Sequence, residues 1–509
     1  MEFTRVKNFI DGEFVEEAGV EYLTIYNPST GEQIGELPLS STETAQKAID
    51  SSYEAYLSWK NLPIAKRVSY LFNLRQKMID KREDLAVAIA TDQAKHISEA
   101  RGEVQRVIEI METACSIPTL IQGETLEGIS DNINGRVIKQ PLGVFGGVAP
   151  FNFPALVFGW FIPYAIGTGN TFIFKPSEQS PLFMQKMGEI FHAIGLPKGV
   201  VNIVNGDRVV ADTWYDSPKM AGVCLVGSTA TAKKMAEACG RGGKRSMLLG
   251  GAKNVLLAME DCNHELFISN FINSCYGSAG QRCLAGSIVA VVDEIYDELL
   301  EKMVEAAKNL IFGDAMDPDV YMGPVISAQA KARIEDYIQI GIDQGSRLAL
   351  DGRNPPMPEK NENGYFVGPT IFADVTPCRR IAQEEIFGPV VSVMKVSDLD
   401  EAIGIINASP FGNGACIFTQ NLYYTEKFIQ EVNAGMIGVN VGICAPHPYL
   451  PFGGIKDSHL GTNKVQGKDG IDFFTQNKIA TVRYAPPAGY VEKVTRRTET
   501  AGVRSCVAA

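Results

Sequence analysis

The sequence predicts an α/β fold with two parallel-sheet halves and a small β arm. Three observations predict it. Short apolar runs rich in β-branched and aromatic residues alternate with helix-length stretches from about residue 140 to 260. A second alternation of the same kind starts after Gly251, and a hairpin-like segment at 119–139 is matched by a strand-like IATVRY near 479–484. Strands alternating with helices mean βαβ units and hence a parallel sheet. With 509 residues the chain allows two to four domains at roughly 100–200 residues each, and its cores need no disulfide or metal staple.

The elements follow in chain order. The first ~120 residues carry two long helices, around 42–59 and 66–111, and LIQGETLEGISDNINGRVIKQ (119–139) reads as a hairpin. VFGGVAP (144–150) is strand-like and a helix follows Pro154. Residues 153–174 are apolar for about the length of a membrane span. Pro154, Pro163 and the GTGN turn at 167–170 instead split the run into a buried helix and the strand TFIFK (171–175). Helices at 180–195, 209–217 and 229–239 then alternate with strands at 200–204 and 220–227. The second half places strands at 254–259, 286–292, 389–396, 413–419 and 434–440, with helices at 265–278, 294–311 and 327–345. From Tyr484 the chain is polar and rich in Pro and Gly, which reads as a loose tail.

Composition narrows the function class. A formal charge of −12 argues against a general nucleic-acid or anionic-membrane binder. Ten cysteines invite a disulfide reading, but they are scattered, form no CxxC and follow no signal-peptide pattern. A reducing, cytoplasmic setting is expected, with most cysteines acting as small buried hydrophobes. Only five histidines occur, none at ligand spacing to a cysteine, so no metal site is expected.

Four places could carry chemistry. Strand 220–227 ends in Gly227-Ser228-Thr229 where a helix begins. A helix N-terminus offers free N–H groups to a pyrophosphate, although Ser and Thr are also generic N-caps. No GxGxxG follows a strand. Lys175 and Glu178, just past strand 171–175, lie where parallel sheets hold ligands and could meet ribose hydroxyls. A carboxylate there disfavours a 2′-phosphate, hence NAD over NADP. Cys283, in Gly280-Gln281-Arg282-Cys283, sits in a loop where the neighbouring guanidinium would favour the thiolate, a nucleophile for carbonyl carbon. Asn152, braced between Pro150 and Pro154, could offer an amide N–H to an oxyanion, or could simply form the turn.

Together these features resemble the aldehyde dehydrogenase superfamily. PFNFP, KPSE, GST, LGG (249–251), GQRC, EEIFGP (384–389) and PFGG (451–454) occur in family order and cover the chain from about residue 8 to 482. The resemblance implies Cys283 as nucleophile, with Asn152 and the Cys283 backbone N–H as oxyanion hole. It also implies Lys175 and Glu178 on the adenine ribose of NAD, Gly227 and Ser228 on the pyrophosphate, and Glu385 and Phe387 on the nicotinamide ribose.

One departure is informative. Hydrolytic members carry a glutamate two residues before the GG, where this chain has Leu248. Leucine cannot accept a proton, so hydrolysis by that route is lost. The CoA-acylating methylmalonate-semialdehyde dehydrogenases also lack it, and GAKN (251–254), GEVQR (102–106), GVNVG (438–442) and QGKDGIDFFTQNK (466–478) resemble that subfamily. Its two carboxylate-binding arginines map onto Arg106, expected on the inner face of its helix, and Arg282. Two mismatches remain: Ala232 replaces a family glycine after GST, and Gly442–Pro448 brings in Cys444 and His447.

The resemblance therefore implies an NAD-dependent semialdehyde dehydrogenase that passes its acyl group to CoA, with a hydrolytic enzyme, possibly using Glu385 as base, as the alternative. A non-catalytic NAD-binding protein is disfavoured by Cys283 and Asn152 occurring together. The implied organisation is an NAD-binding domain (1–118 and 140–248), a catalytic domain (249–441) and a return segment (442–478). An oligomerisation arm (119–139 and 479–495) implies a homo-oligomer, either a dimer or a homotetramer, because such an arm has little core of its own.

Overall fold

The computed structural model describes residues 3–485, 487 and 490; the expected tail beyond these, Cys506 included, lies outside the described residues. Two large sheets form the body. The first has eight strands, with Arg245–Leu249, Met220–Val226, Val144–Val148, Thr171–Lys175 and Val201–Ile203 side by side and parallel. Antiparallel strands close its edges, His459–Gly461 on one side and the hairpin Asn8–Ile10/Glu13–Val15 on the other. The second has seven strands, parallel throughout except for the edge strand Arg347–Leu350. Its centre is Gly286–Val292 beside Asn254–Ala258, whose burial on both faces matches their unbroken apolar sequence.

The arm is a three-stranded antiparallel sheet in which Ile133–Pro141 lies between Thr125–Ser130 and Thr475–Arg483. It leaves Leu126, Ile129, Ile138, Ile479 and Val482 exposed.

The apolar run at 153–174 becomes the buried helix Pro154–Thr168, ended by Gly169 at φ 106°, and the buried strand Thr171–Lys175. No helix among the described residues is long and apolar enough to cross a membrane. The expected single helix over 66–111 is instead three: Ile64–Asp80, Arg82–Asp92 and Ile97–Cys115. The second break falls at Ala94, at φ 59°, and Lys95, which turns inward to a buried ion pair with Glu103. Helical periodicity carries through such a break because the flanking helices bury the same kind of face. The strand Arg245–Leu249 was not foreseen, since its five residues start polar and run straight into the LGG turn.

Candidate active site

Cys283 is presented by a short, tightly held connection between the helix His264–Tyr276 and the strand Gly286–Val292. Ser278, Ala279 and Gly280 all take left-handed conformations, at φ 50°, 51° and 70°. For Ser and Ala this costs roughly 1–2 kcal/mol each, so the surroundings must enforce it. A Cβ at Gly280 would lie 2.3 Å from the Gly388 carbonyl oxygen, which requires glycine there. The Cys283 carbonyl is pinned by two amide donors, Asn254 Nδ2 at 2.9 Å and Asn413 Nδ2 at 2.8 Å.

Asn152 is buried, and its side-chain Nδ2 donates to the Gln281 carbonyl at 2.9 Å, which ties it to the loop of the thiol. Its own carbonyl accepts from Lys95 Nζ at 2.6 Å, and Lys95 is paired with Glu103 at 2.6 Å, both side chains 1% exposed. The other Glu103 oxygen accepts from the Ala155 and Leu156 N–H groups at 2.8 and 2.9 Å. These are orphan donors of the apolar helix Pro154–Thr168, whose N-terminus has no side-chain cap of its own. One buried ion pair thus caps a helix and fixes the loop that carries Asn152.

Two cavities meet at Cys283. The first, about 350 Å³, is lined by Phe151, Asn152, Gly227, Ser228, Gly250, Gly251, Cys283, Arg333, Glu385 and Phe387 among others. Ser228 caps the helix Thr229–Arg241 at its floor. A Cβ at Gly250 would fall 2.6 Å from the Asp457 carbonyl oxygen, and one at Gly251 2.6 Å from Glu385 Oε2. The two glycines thus let the backbone and the Glu385 carboxylate close on one another, and Ala252 N–H donates to Glu385 Oε1 at 2.9 Å. Phe387, left-handed at φ 54°, meets Phe151 edge-on at 5.9 Å.

Lys175 and Glu178 stand outside this lining, at the carboxyl end of Thr171–Lys175, two strands away from Met220–Val226 in the same sheet. The Lys175 ammonium spends its three donors on Pro176 O, Gly206 O and Glu178 Oε1, at 2.9, 2.7 and 2.8 Å. Glu178 is the more exposed partner, with about a third of its side chain accessible. A dinucleotide fits this frame: the helix N-terminus, the bare glycine backbone and Glu178 follow the carboxyl ends of three parallel strands of one sheet, with Val144–Val148 between the first two and the third.

The second cavity, about 460 Å³, opens on the other side of Cys283 and is lined by Arg106, Arg282, Glu99, Phe153, Ile443 and Phe452 among others. It brings together the two arginines expected to clamp a carboxylate, but neither is unpaired. Arg106 is not turned inward as expected. It is nearly half exposed and bonds Glu109 at 2.9 Å, because its place on the helix is the flank of the buried stripe, one turn on from Glu103 and to the side of Val104 and Val107. Arg282 folds back onto Glu99 and onto the Asn273 carbonyl, the latter at 3.1 Å.

That fold-back also overturns the expected activation of the thiol by Arg282. Burial, followed by the nearby Glu385 carboxylate, pushes the Cys283 thiol up to about 12, and the guanidinium is spent elsewhere. Burial likewise raises Glu385, against the Ala252 N–H and Lys253, and lowers Lys253 to about 8.

The sequence profile of the aldehyde dehydrogenase family matches residues 14–480. The chain belongs to the aldehyde dehydrogenase family. Among its relatives, a malonate-semialdehyde dehydrogenase of Bacillus pumilus (strain SAFR-032) is 41% identical over 94% of this chain and 98% of its own length. Malonate-semialdehyde dehydrogenase 2 of Bacillus thuringiensis (strain Al Hakam) is 42% identical over the same shares. Among solved structures, the methylmalonate-semialdehyde dehydrogenase of Oceanimonas doudoroffii superposes with a TM-score of 0.93 at 36% identity, covering 96% of this chain and 99% of that one. A Sinorhizobium meliloti 1021 chain, described as a putative methylmalonate-semialdehyde dehydrogenase and complexed with NAD, gives 0.93 at 35% over the same shares.

In this aldehyde dehydrogenase Leu248 lines neither cavity. It is fully buried, in register with Leu225 and Leu460, among Ile173, Leu225 and Met235. Ala232 belongs to the same cluster, where its methyl packs against core rather than crowding a ligand. Ile443 and Ala445, of the unusual Gly442–Pro448 segment, reach the second cavity. Sequence reasoning missed Lys95, Glu99 and Glu103. The Glu99/Glu103 spacing of one helical turn was legible, but their inward direction depends on the break at Ala94.

Proposed function

We propose that this aldehyde dehydrogenase oxidises a small carboxylate-bearing aldehyde of the malonate- or methylmalonate-semialdehyde type and hands the acyl group to CoA. The carrying observation is Cys283 set between a glycine-walled cavity and an arginine-bearing one. It is supported by the names of the relatives and by the NAD held in a structural neighbour.

In this reading the eight-stranded half holds NAD, with Ser228 and Gly227 at the pyrophosphate, Glu178 backed by Lys175 at one ribose, and Glu385 with Phe387 at the other. NAD supplies the hydride acceptor. Arg106 and Arg282 orient the substrate carboxylate; Arg282 must share its guanidinium with Glu99 to do so. The Cys283 thiol gives up its proton to solvent water as its sulfur bonds to the aldehyde carbon and the carbonyl π pair moves to oxygen. Asn152 Nδ2 and the Cys283 N–H receive the alkoxide, worth several kcal/mol when such donors are preorganised. Loss of hydride leaves a thioester on Cys283. A carboxylate β to that carbonyl can leave as CO₂, since the thioester takes up the electron pair. The thiol of CoA then displaces Cys283, a step that needs no carboxylate base at position 248.

NADH formation from methylmalonate semialdehyde with and without CoA tests this. The expected result is one NADH per active site without CoA and sustained turnover with it. Equal steady-state rates in both arms would favour the hydrolytic alternative with Glu385 as base. Further coarse readings follow from the same resemblance: a cytoplasmic enzyme, assembled as a dimer or tetramer through the exposed apolar arm.

A further inference from the structure

Glu99 enters the proposed chemistry only as the partner of Arg282, yet it touches both ends of the segment that carries the nucleophile. It lies in the first turn of the helix Ile97–Cys115. Its two carboxylate oxygens accept from the Ser278 N–H at 3.0 and 3.1 Å. Its Oε1 also accepts from Arg282 Nη2, and the side chains of this pair are 20% and 14% exposed. Ser278 opens the three-residue left-handed turn, and Arg282 immediately precedes Cys283. The guanidinium is pressed over Gly277, where a Cβ would come within 2.5 Å of its carbon.

We infer that Glu99 is a positioning residue: by holding Ser278 N–H and the Arg282 guanidinium together it clamps the left-handed turn shut and fixes the Cys283 thiol between the two cavities. The inference rests on Cys283 being the nucleophile. A carboxylate is suited to the task because one group meets a backbone donor and a guanidinium at once, with charge-assisted bonds to the latter. Left-handed Ser278 and Ala279 would relax without it, since both prefer other backbone regions. Catalytic geometry tolerates little such relaxation.

The test is the rate constant of the first-turnover NADH burst in the full-length NAD-loaded enzyme. It is measured with methylmalonate semialdehyde and with propanal, which has no carboxylate. Glu99→Ala is expected to slow the burst tenfold or more with both aldehydes, leaving the KM for propanal and the affinity for NAD within twofold. Glu99→Gln, which keeps an oxygen for Ser278 N–H, is expected to recover at least a third of the lost rate. If Glu99→Ala does not fold, Glu99→Asp carries the test. It withdraws the carboxylate by one methylene and should slow the burst threefold or more with both aldehydes. An unchanged burst in the folded variants would overturn the inference. So would an effect confined to methylmalonate semialdehyde, which would make Glu99 a counter-charge to Arg282 alone. Cys283→Ala with propanal is the separate control: a surviving burst there would sink the nucleophile reading itself, whatever the Glu99 variants do.

Discussion

The two cavities that meet at Cys283 differ in what they present. The first bares backbone at Gly227, Gly250 and Gly251, beside the buried Glu385 carboxylate, Arg333 and the rings of Phe151 and Phe387. The second sets ion pairs among apolar side chains such as Phe153, Ile443 and Phe452: Lys95 is paired with Glu103, Arg282 with Glu99, and Arg106, at its edge, with Glu109 outside the lining. A backbone wall is rigid and recognises a shared cofactor scaffold. A wall of ion pairs can exchange partners, and a substrate carboxylate is one more partner for it. Under the proposed function, the contrast makes the existing engagement of each arginine the quantity that sets specificity for the aldehyde.

The strongest way to break the comparison is at the shared point. Cys283→Ser is expected to lower the first-turnover rate on the order of ten-thousand-fold, read as NADH formed with propanal, with NAD affinity unaltered because none of the groups assigned to NAD is changed. Next is the buried pair on the charged side. Lys95→Met leaves Glu103 buried without its partner and frees the Asn152 loop. It should destabilise the protein by about 3–5 kcal/mol, read by urea unfolding. A loss under about 1 kcal/mol would mean that the pair behaves like a surface one.

The thiol itself offers a smaller, graded effect. With burial and Glu385 pushing Cys283 up to about 12, it is neutral at pH 7 to 9 in the free enzyme. Iodoacetamide alkylation follows the thiolate, so it should rise about tenfold per pH unit across this range with no plateau. A plateau near pH 8 would place a cation beside the sulfur after all. The smallest effect sharpens the charged wall. Arg106→Ala should raise the KM for methylmalonate semialdehyde about tenfold, the loss of one charge-assisted bond, and leave the KM for propanal alone. Equal changes for both aldehydes would remove Arg106 from carboxylate recognition.

The legibility of this molecule in its sequence divides along the same line. The glycine backbone could be read: Gly250 and Gly280 are motif residues because a Cβ would strike a neighbouring carbonyl oxygen, and Gly251 because it would strike the Glu385 carboxylate. The strands at 171–175, 220–226 and 286–292 could be read because burial on both faces demands unbroken apolar runs. The charged wall could not. GEVQR and GQRC announced two arginines, but nothing local told that Arg282 would fold back to Glu99, or that Arg106 would sit at the rim. The helix over 66–111 failed for a related reason, because the break at Ala94 exists to turn Lys95 inward to Glu103.

By itself the sequence determined the α/β class, the nucleophile candidate and the missing base at Leu248, since these rest on residue type and short-range pattern. The tertiary structure alone decided which ions pair, that Arg106 and Arg282 line one cavity and that burial raises the thiol. Those are set by distances and burial among residues far apart in the chain, and electrostatic interactions have no periodicity through which a sequence could display them.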